Sequence, residues 1–143
     1  MLSLIRTIVF GLWVGALAGF AFLFAPIAFA HVGPTAPFAA TIAACVGALV
    51  RAGDWAGILC AAITVFGRLE SRRAAAAIVL CVAAAVALGY VETTLIVPRM
   101  QETALLTPAY EALHRQSSAV YGTAFLAALA AFAISSRRAY TSR

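Results

Sequence analysis

The chain has 143 residues, 64% of them apolar and only 10% charged, and ten arginines stand against five acids for a net charge of +5. A soluble domain of this size is about half apolar and about a quarter charged, so a disordered, nucleic-acid-binding or ordinary soluble protein is excluded. The lipid bilayer is the expected surrounding, and no nucleic acid is needed to explain the basic charge.

No charged residue occurs in the 44 positions from Thr7 to Val50, nor in the 21 from Gln116 to Ser136. A hydrocarbon core takes about 20 helical residues, so these stretches read as transmembrane helix. The expected fold is all-α, an integral membrane four-helix bundle forming a single domain over residues 1–143. Its predicted spans are about 7–30, 51–67, 74–97 and 112–136.

The first span reaches Ala30, with Pro26 expected to kink or end it because proline removes one backbone hydrogen bond. Gly11, Gly15 and Gly19 recur every fourth residue and line one face, a strip suited to close packing within the chain or between copies. Arg6, the apolar run and Ala28-Phe29-Ala30 imitate a signal peptide, but the run exceeds the roughly 7–15 residues of a signal core, so an uncleaved span is expected. Cleavage after Ala30 would instead leave His31 as a terminal chelate for copper.

The region from Pro37 to Gly67 is interrupted by Arg51, Gly53 and Asp54. As one helix it would be about 46 Å long, more than a bilayer requires. Two alternatives follow: a long tilted helix, or an interfacial half-helix at about 37–50 with the crossing beginning near Arg51. The second is the favoured expectation.

The third span is rich in alanine, carries Glu92, and is expected to stop at Pro98. The fourth opens on Thr107-Pro108, a capping residue followed by the proline that tolerates a first helical position. Counting arginines places the N-terminus inside, since Arg6, Arg68, Arg72, Arg73, Arg137, Arg138 and Arg143 then share one side. The expected location is a bacterial-type inner membrane with both termini cytoplasmic.

Charges at membrane depth are the most informative residues, because each costs roughly 2.5–3.5 kcal/mol even on a lenient scale. Arg51 and Asp54 are spaced i,i+3 and can pair. Glu92 precedes Arg99 by seven residues, two helical turns, so both can face one partner. Glu111 pairs by spacing with Arg115, and His114 follows Glu111 by three. These residues make an outward polar cap, with Glu92 the best candidate for a proton-linked or cation-linked carboxylate. The competing reading is a salt-bridge network that ties helix ends together.

His31 and His114 both map to the outer side and could hold haem, copper or zinc, although no ligand motif is present and no cofactor is required. Cys45, Cys60 and Cys81 read as packing. Nothing resembles a nucleophile with its base, a phosphate loop or a dinucleotide fingerprint, which makes an enzyme the minority reading.

Several local patterns occur in a familiar order: Leu12-Trp13-Val14-Gly15, Ala25-Pro26, Phe29, Leu49-Val50-Arg51, Asp54-Trp55-Ala56-Gly57, Pro98 and Leu113-His114-Arg115-Gln116-Ser117. Together they resemble the family built on domain of unknown function 4149, which includes proteins similar to transmembrane protein 205. The resemblance marks Trp13, Gly15, Pro26, Phe29, His114 and Ser117 as pattern positions, while His31 does not clearly belong. It implies a four-helix membrane protein and hints at handling of metals or small molecules, since eukaryotic relatives are associated with resistance to platinum drugs.

The expected role is binding or transporting a small solute or metal ion through the outward polar cluster, with a homo-oligomer or a membrane protein as partner. The alternatives are a structural or assembly subunit of a membrane complex, and a haem- or copper-binding protein using His114 and His31.

Overall fold

The computed structural model describes residues 2–33 and 35–141, with side chains up to residue 137. Four long helices account for nearly all of it: α1 (Leu2–Val32), α2 (Ala36–Phe66), α3 (Arg72–Glu102) and α4 (Pro108–Thr141). All four are long and apolar enough to cross a membrane, the architecture of a multi-pass membrane protein. They form a ring in which α1 and α3 each pack on both α2 and α4.

Short connections hold the ring together. Gly33 closes α1 at φ +77°, a conformation that costs a side-chain-bearing residue dearly, and its N–H bonds the Phe29 carbonyl at 3.0 Å. Ser71 caps α3 by accepting from the Ala74 N–H at 3.3 Å. Thr107 caps α4 as its sequence predicts, accepting from the Tyr110 N–H at 3.2 Å.

The expectation that the third span stops at Pro98 is overturned, since α3 runs past it to Glu102, and of the two outcomes expected at Pro26, a kink or an end, the end does not occur. Each proline is preceded by one wide π turn, Phe20–Phe24 in α1 and Glu92–Ile96 in α3. There the Ala25 N–H bonds the Phe20 carbonyl and the Val97 N–H bonds the Glu92 carbonyl, one residue further back than in an α-helix. Proline lacks an N–H and its ring crowds the carbonyl four residues earlier, so one extra residue wound into the preceding turn absorbs both defects.

The region 36–66 is one unbroken helix of 31 residues, so the long-helix alternative is the one formed. The helix passes through Arg51, Gly53 and Asp54 without a break, and the Arg51 and Asp54 side chains diverge. Arg51 is exposed and lies back over Gly47, its guanidinium Nη1 3.3 Å from where a Cβ on that glycine would sit. Asp54 turns instead toward α3.

Burial repeats along the chain. Among the buried residues of α1, Arg6, Phe10, Trp13 and Leu17 have buried counterparts 72 positions later in α3, at Ile78, Val82, Ala85 and Gly89. Gly57, Cys60 and Thr64 of α2 correspond at a spacing of 71 to the buried Ala128, Ala131 and Ser135 of α4. Pro26 and Pro98, and Pro37 and Pro108, keep the same spacings. The chain thus repeats a helical hairpin with partly matching burial and a matching π turn in the first helix of each, an arrangement many membrane proteins use.

The core is narrow and held by glycine. Trp13 is 5% exposed and lies flat on α2 at Gly53 and Gly57. A Cβ on Gly57 would sit 2.6 Å from the Trp13 ring, and one on Gly53 would collide with the indole Nε1 edge. The expected glycine strip behaves differently. A Cβ on Gly11 would meet Phe132 of α4 at 3.6 Å, while one on Gly15 or Gly19 would meet nothing within 4 Å. Of the cysteines read as packing, Cys60 is buried, Cys81 is half-buried and Cys45 is exposed.

Candidate functional site

The two ends of the bundle are built differently. At the end holding the 67–71 connection, Arg6 is almost wholly enclosed. Its Nη1 donates to Thr64 Oγ1 at 3.2 Å, and its Nη2 donates to Glu70 Oε1 at 2.9 Å and to the Ser135 carbonyl at 3.1 Å. One guanidinium thereby joins α1, α2, α4 and the connection before α3. Arg6–Glu70 is the one ion pair among the described residues. Sequence reasoning assigned Arg6 to topology alone, because an arginine flanking an apolar run ordinarily sits in the interface.

At the opposite end, where α1 gives way to α2 and α3 to α4, the helices part around a cavity of about 850 Å³. Its walls come from the second half of α1, the first half of α2, the end of α3 with the following connection, and the first turns of α4. Glu92, 2% exposed, lines this cavity and also a second, inner one of about 20 Å³, room for a single water. Ser117 of α4 donates its hydroxyl to Glu92 Oε1, while Oε2 has no hydrogen-bond partner.

Asp54 lines the same inner cavity together with Trp13, Gly89 and Tyr121. It lies against the bare backbone of Gly89, where a Cβ would stand 2.8 Å from Asp54 Oδ2. Gly89 is one turn before Glu92, so the glycine brings the two carboxylates to one small space. Tyr121 also lines both cavities, and its hydroxyl donates to the Leu17 carbonyl at 3.0 Å, which pins α4 to α1. That bond falls just before the π turn of α1, where the helix starts to widen.

The polar cap expected from sequence is therefore only partly assembled. Glu92, Asp54, His114 and Ser117 line the two cavities. Arg51, Arg99 and Glu111 do not line them, and all three are exposed. Arg51 makes no ion pair with Asp54, because its side chain lies back over Gly47 while Asp54 faces α3. Arg99 does not share a face with Glu92 because the π turn begins at Glu92, so seven residues no longer complete two regular turns.

The two histidines also part company. His114 lines the large cavity and stacks on Tyr110 with ring centroids 6.3 Å apart. His31 is exposed, its Nδ1 2.9 Å from the Ile27 carbonyl of its own helix, and does not line the cavity. Among the described residues, no three His, Cys, Asp or Glu side chains gather into a metal-binding group.

Sequence reasoning missed Tyr121 and Gly89. A usable signal existed for the first, since His114, Ser117 and Tyr121 follow the i, i+3, i+7 spacing of one helix face. Gly89 carried none, because its role depends on which helix lies opposite.

A scan against protein-family models, a search of curated proteins and a search of solved structures each found no match to this chain. Of the six pattern positions named above, five line a cavity and Gly15 lines neither. Trp13 lines the inner cavity, and Pro26, Phe29, His114 and Ser117 line the outer one.

Proposed function

We propose that this protein binds a small cationic solute or ion at Glu92 and moves it across the membrane. The observation that carries this reading is the Glu92 side chain, enclosed in an apolar bundle with one oxygen unpartnered beside a cavity of about 850 Å³. Burying a carboxylate without a partner is costly, and such groups in membrane segments mark ligand or ion paths far more often than scaffolding. Asp54 across the inner cavity supplies a second carboxylate, and Tyr121 and Ser117 fix the geometry around them.

The orientation proposed is the one the arginines favour, with both termini cytoplasmic in a bacterial-type inner membrane. The cavity then opens outward, and the Arg6 cluster closes the cytoplasmic end. Membership of the family built on domain of unknown function 4149 is proposed on the same positions, Trp13, Pro26, Phe29 and Ser117.

Trp13 lines the inner cavity beside Glu92, and Trp55, the other tryptophan, is exposed. In a Trp55→Phe background Trp13 emission therefore reports on the site. Protein in lipid nanodiscs, titrated with sodium, magnesium, zinc, ammonium and organic ammonium salts, is expected to give a saturable change with at least one cation, abolished by Glu92→Gln. A response to none of them, or one indifferent to Glu92→Gln, overturns the proposal.

A further inference from the structure

The cavity at Glu92 is far larger than an inorganic ion requires. Its volume of about 850 Å³ falls within the range of roughly 300–1,000 Å³ typical of sites for drug-sized organic ligands. Its lining is mostly apolar, with Phe20, Phe29, Tyr110 and Tyr121 among the side chains.

Charge narrows the ligand further. The chain carries ten arginines and five acids, yet the cavity is lined by two acids, Glu92 and Glu102, and by no arginine. An anion would meet repulsion from both acids, and a neutral solute without a hydrogen-bond donor would leave the unpartnered Glu92 Oε2 unanswered. A hard cation takes about six or more oxygens, and with no group of three acidic, histidine or cysteine side chains among the described residues an inorganic cation would depend on backbone carbonyls and water for most of its ligands. Aromatic side chains in an apolar wall with one enclosed carboxylate instead match a cation whose charge sits in an apolar body, which a carboxylate and ring faces can hold together.

We propose that the ligand is a lipophilic organic cation, bound with its charge at Glu92 and its apolar groups against the walls from α1 and α4. This rests on the reading of Glu92 as the binding carboxylate and adds the substrate class.

The test is equilibrium binding of tetraphenylphosphonium, tetramethylammonium, sodium and zinc to the full chain in nanodiscs, with empty nanodiscs as the partition control. Saturable binding of about one tetraphenylphosphonium per chain is expected, weakened at least tenfold by Glu92→Gln. Ala43→Leu, which adds bulk to the cavity wall on α2, is expected to weaken tetraphenylphosphonium several-fold and leave tetramethylammonium unchanged. Glu92-dependent binding of sodium or zinc with none of tetraphenylphosphonium overturns the substrate class and keeps the site. Tetraphenylphosphonium uptake that matches empty nanodiscs or ignores both substitutions overturns the substrate class, and the absence of any Glu92-dependent cation overturns both readings. Release of a tightly held phospholipid in place of cation binding would show the cavity to be a lipid site and likewise overturn the inference.

Discussion

Arg6 and Glu92 are both buried charges in the same thin bundle, yet they are treated in opposite ways. Arg6 has three hydrogen bonds to separate elements and an opposite charge, leaving only its Nε unpartnered. Glu92 has one hydroxyl, no cation and an oxygen left over beside open space. Desolvation of each is expensive, and the difference lies in who offsets it. At the first end other parts of the chain do so, which makes the charge a clamp. At the second the offset is incomplete, which suits a charge whose partner arrives and leaves.

The sharpest way to break this comparison is at the clamp. Arg6→Ala removes one partner of the buried Arg6–Glu70 pair, a change that costs about 3–5 kcal/mol. Thermal or denaturant unfolding in mild detergent should show a loss of that size, with much of it recovered in Arg6→Met combined with Glu70→Gln. A negligible loss from Arg6→Ala would place the cluster in the same class as Glu92.

The Trp13 seam between the two ends comes next. Gly57→Ala forces a carbon against the Trp13 ring and should destabilise by about 1–3 kcal/mol, the usual cost of overpacking. Gly15→Ala, with no neighbour within 4 Å, should leave stability nearly unchanged. A large effect at Gly15 in detergent-solubilised protein that vanished on dissociation would reveal a contact between copies on that face.

The smallest expected effect on stability is at Glu92 itself. Glu92→Gln removes a poorly compensated charge while keeping an acceptor for Ser117, so the unfolding midpoint should hold or rise even as cation binding is lost. A marked destabilisation would show that Glu92 serves as scaffold and that the two ends are alike. Ser117→Ala should lie between, weakening cation binding by a smaller factor than Glu92→Gln in the same titration, since only one contact to the carboxylate is removed.

How much of this was legible in sequence differs residue by residue. Glu92 stood out because it interrupts an apolar run, and hydropathy alone marks such a charge as expensive. Arg6 did not, since a flanking arginine reads the same whether it snorkels to the interface or turns inward. Asp54 was visible but its partner was misassigned: spacing along α2 suggested Arg51, whereas packing gave it the Gly89 surface of α3. The glycines showed the same pattern. Periodicity singled out Gly11, Gly15 and Gly19, but the close approach occurs at Gly53 and Gly57, because a glycine matters where a large side chain lies opposite and Trp13 lies there.

Composition and hydropathy determined by themselves that this chain forms four helices long and apolar enough to cross a membrane, since burying unsatisfied backbone in lipid leaves few other solutions. The caps at Thr107 and the prolines were local signals of the same kind. Tertiary structure alone decided that 36–66 would stay one helix and which residues of each hairpin would be buried. It also decided which charges face inward. These outcomes depend on what one helix finds on its neighbour, and a periodic pattern records which residues share a face without recording what that face will meet.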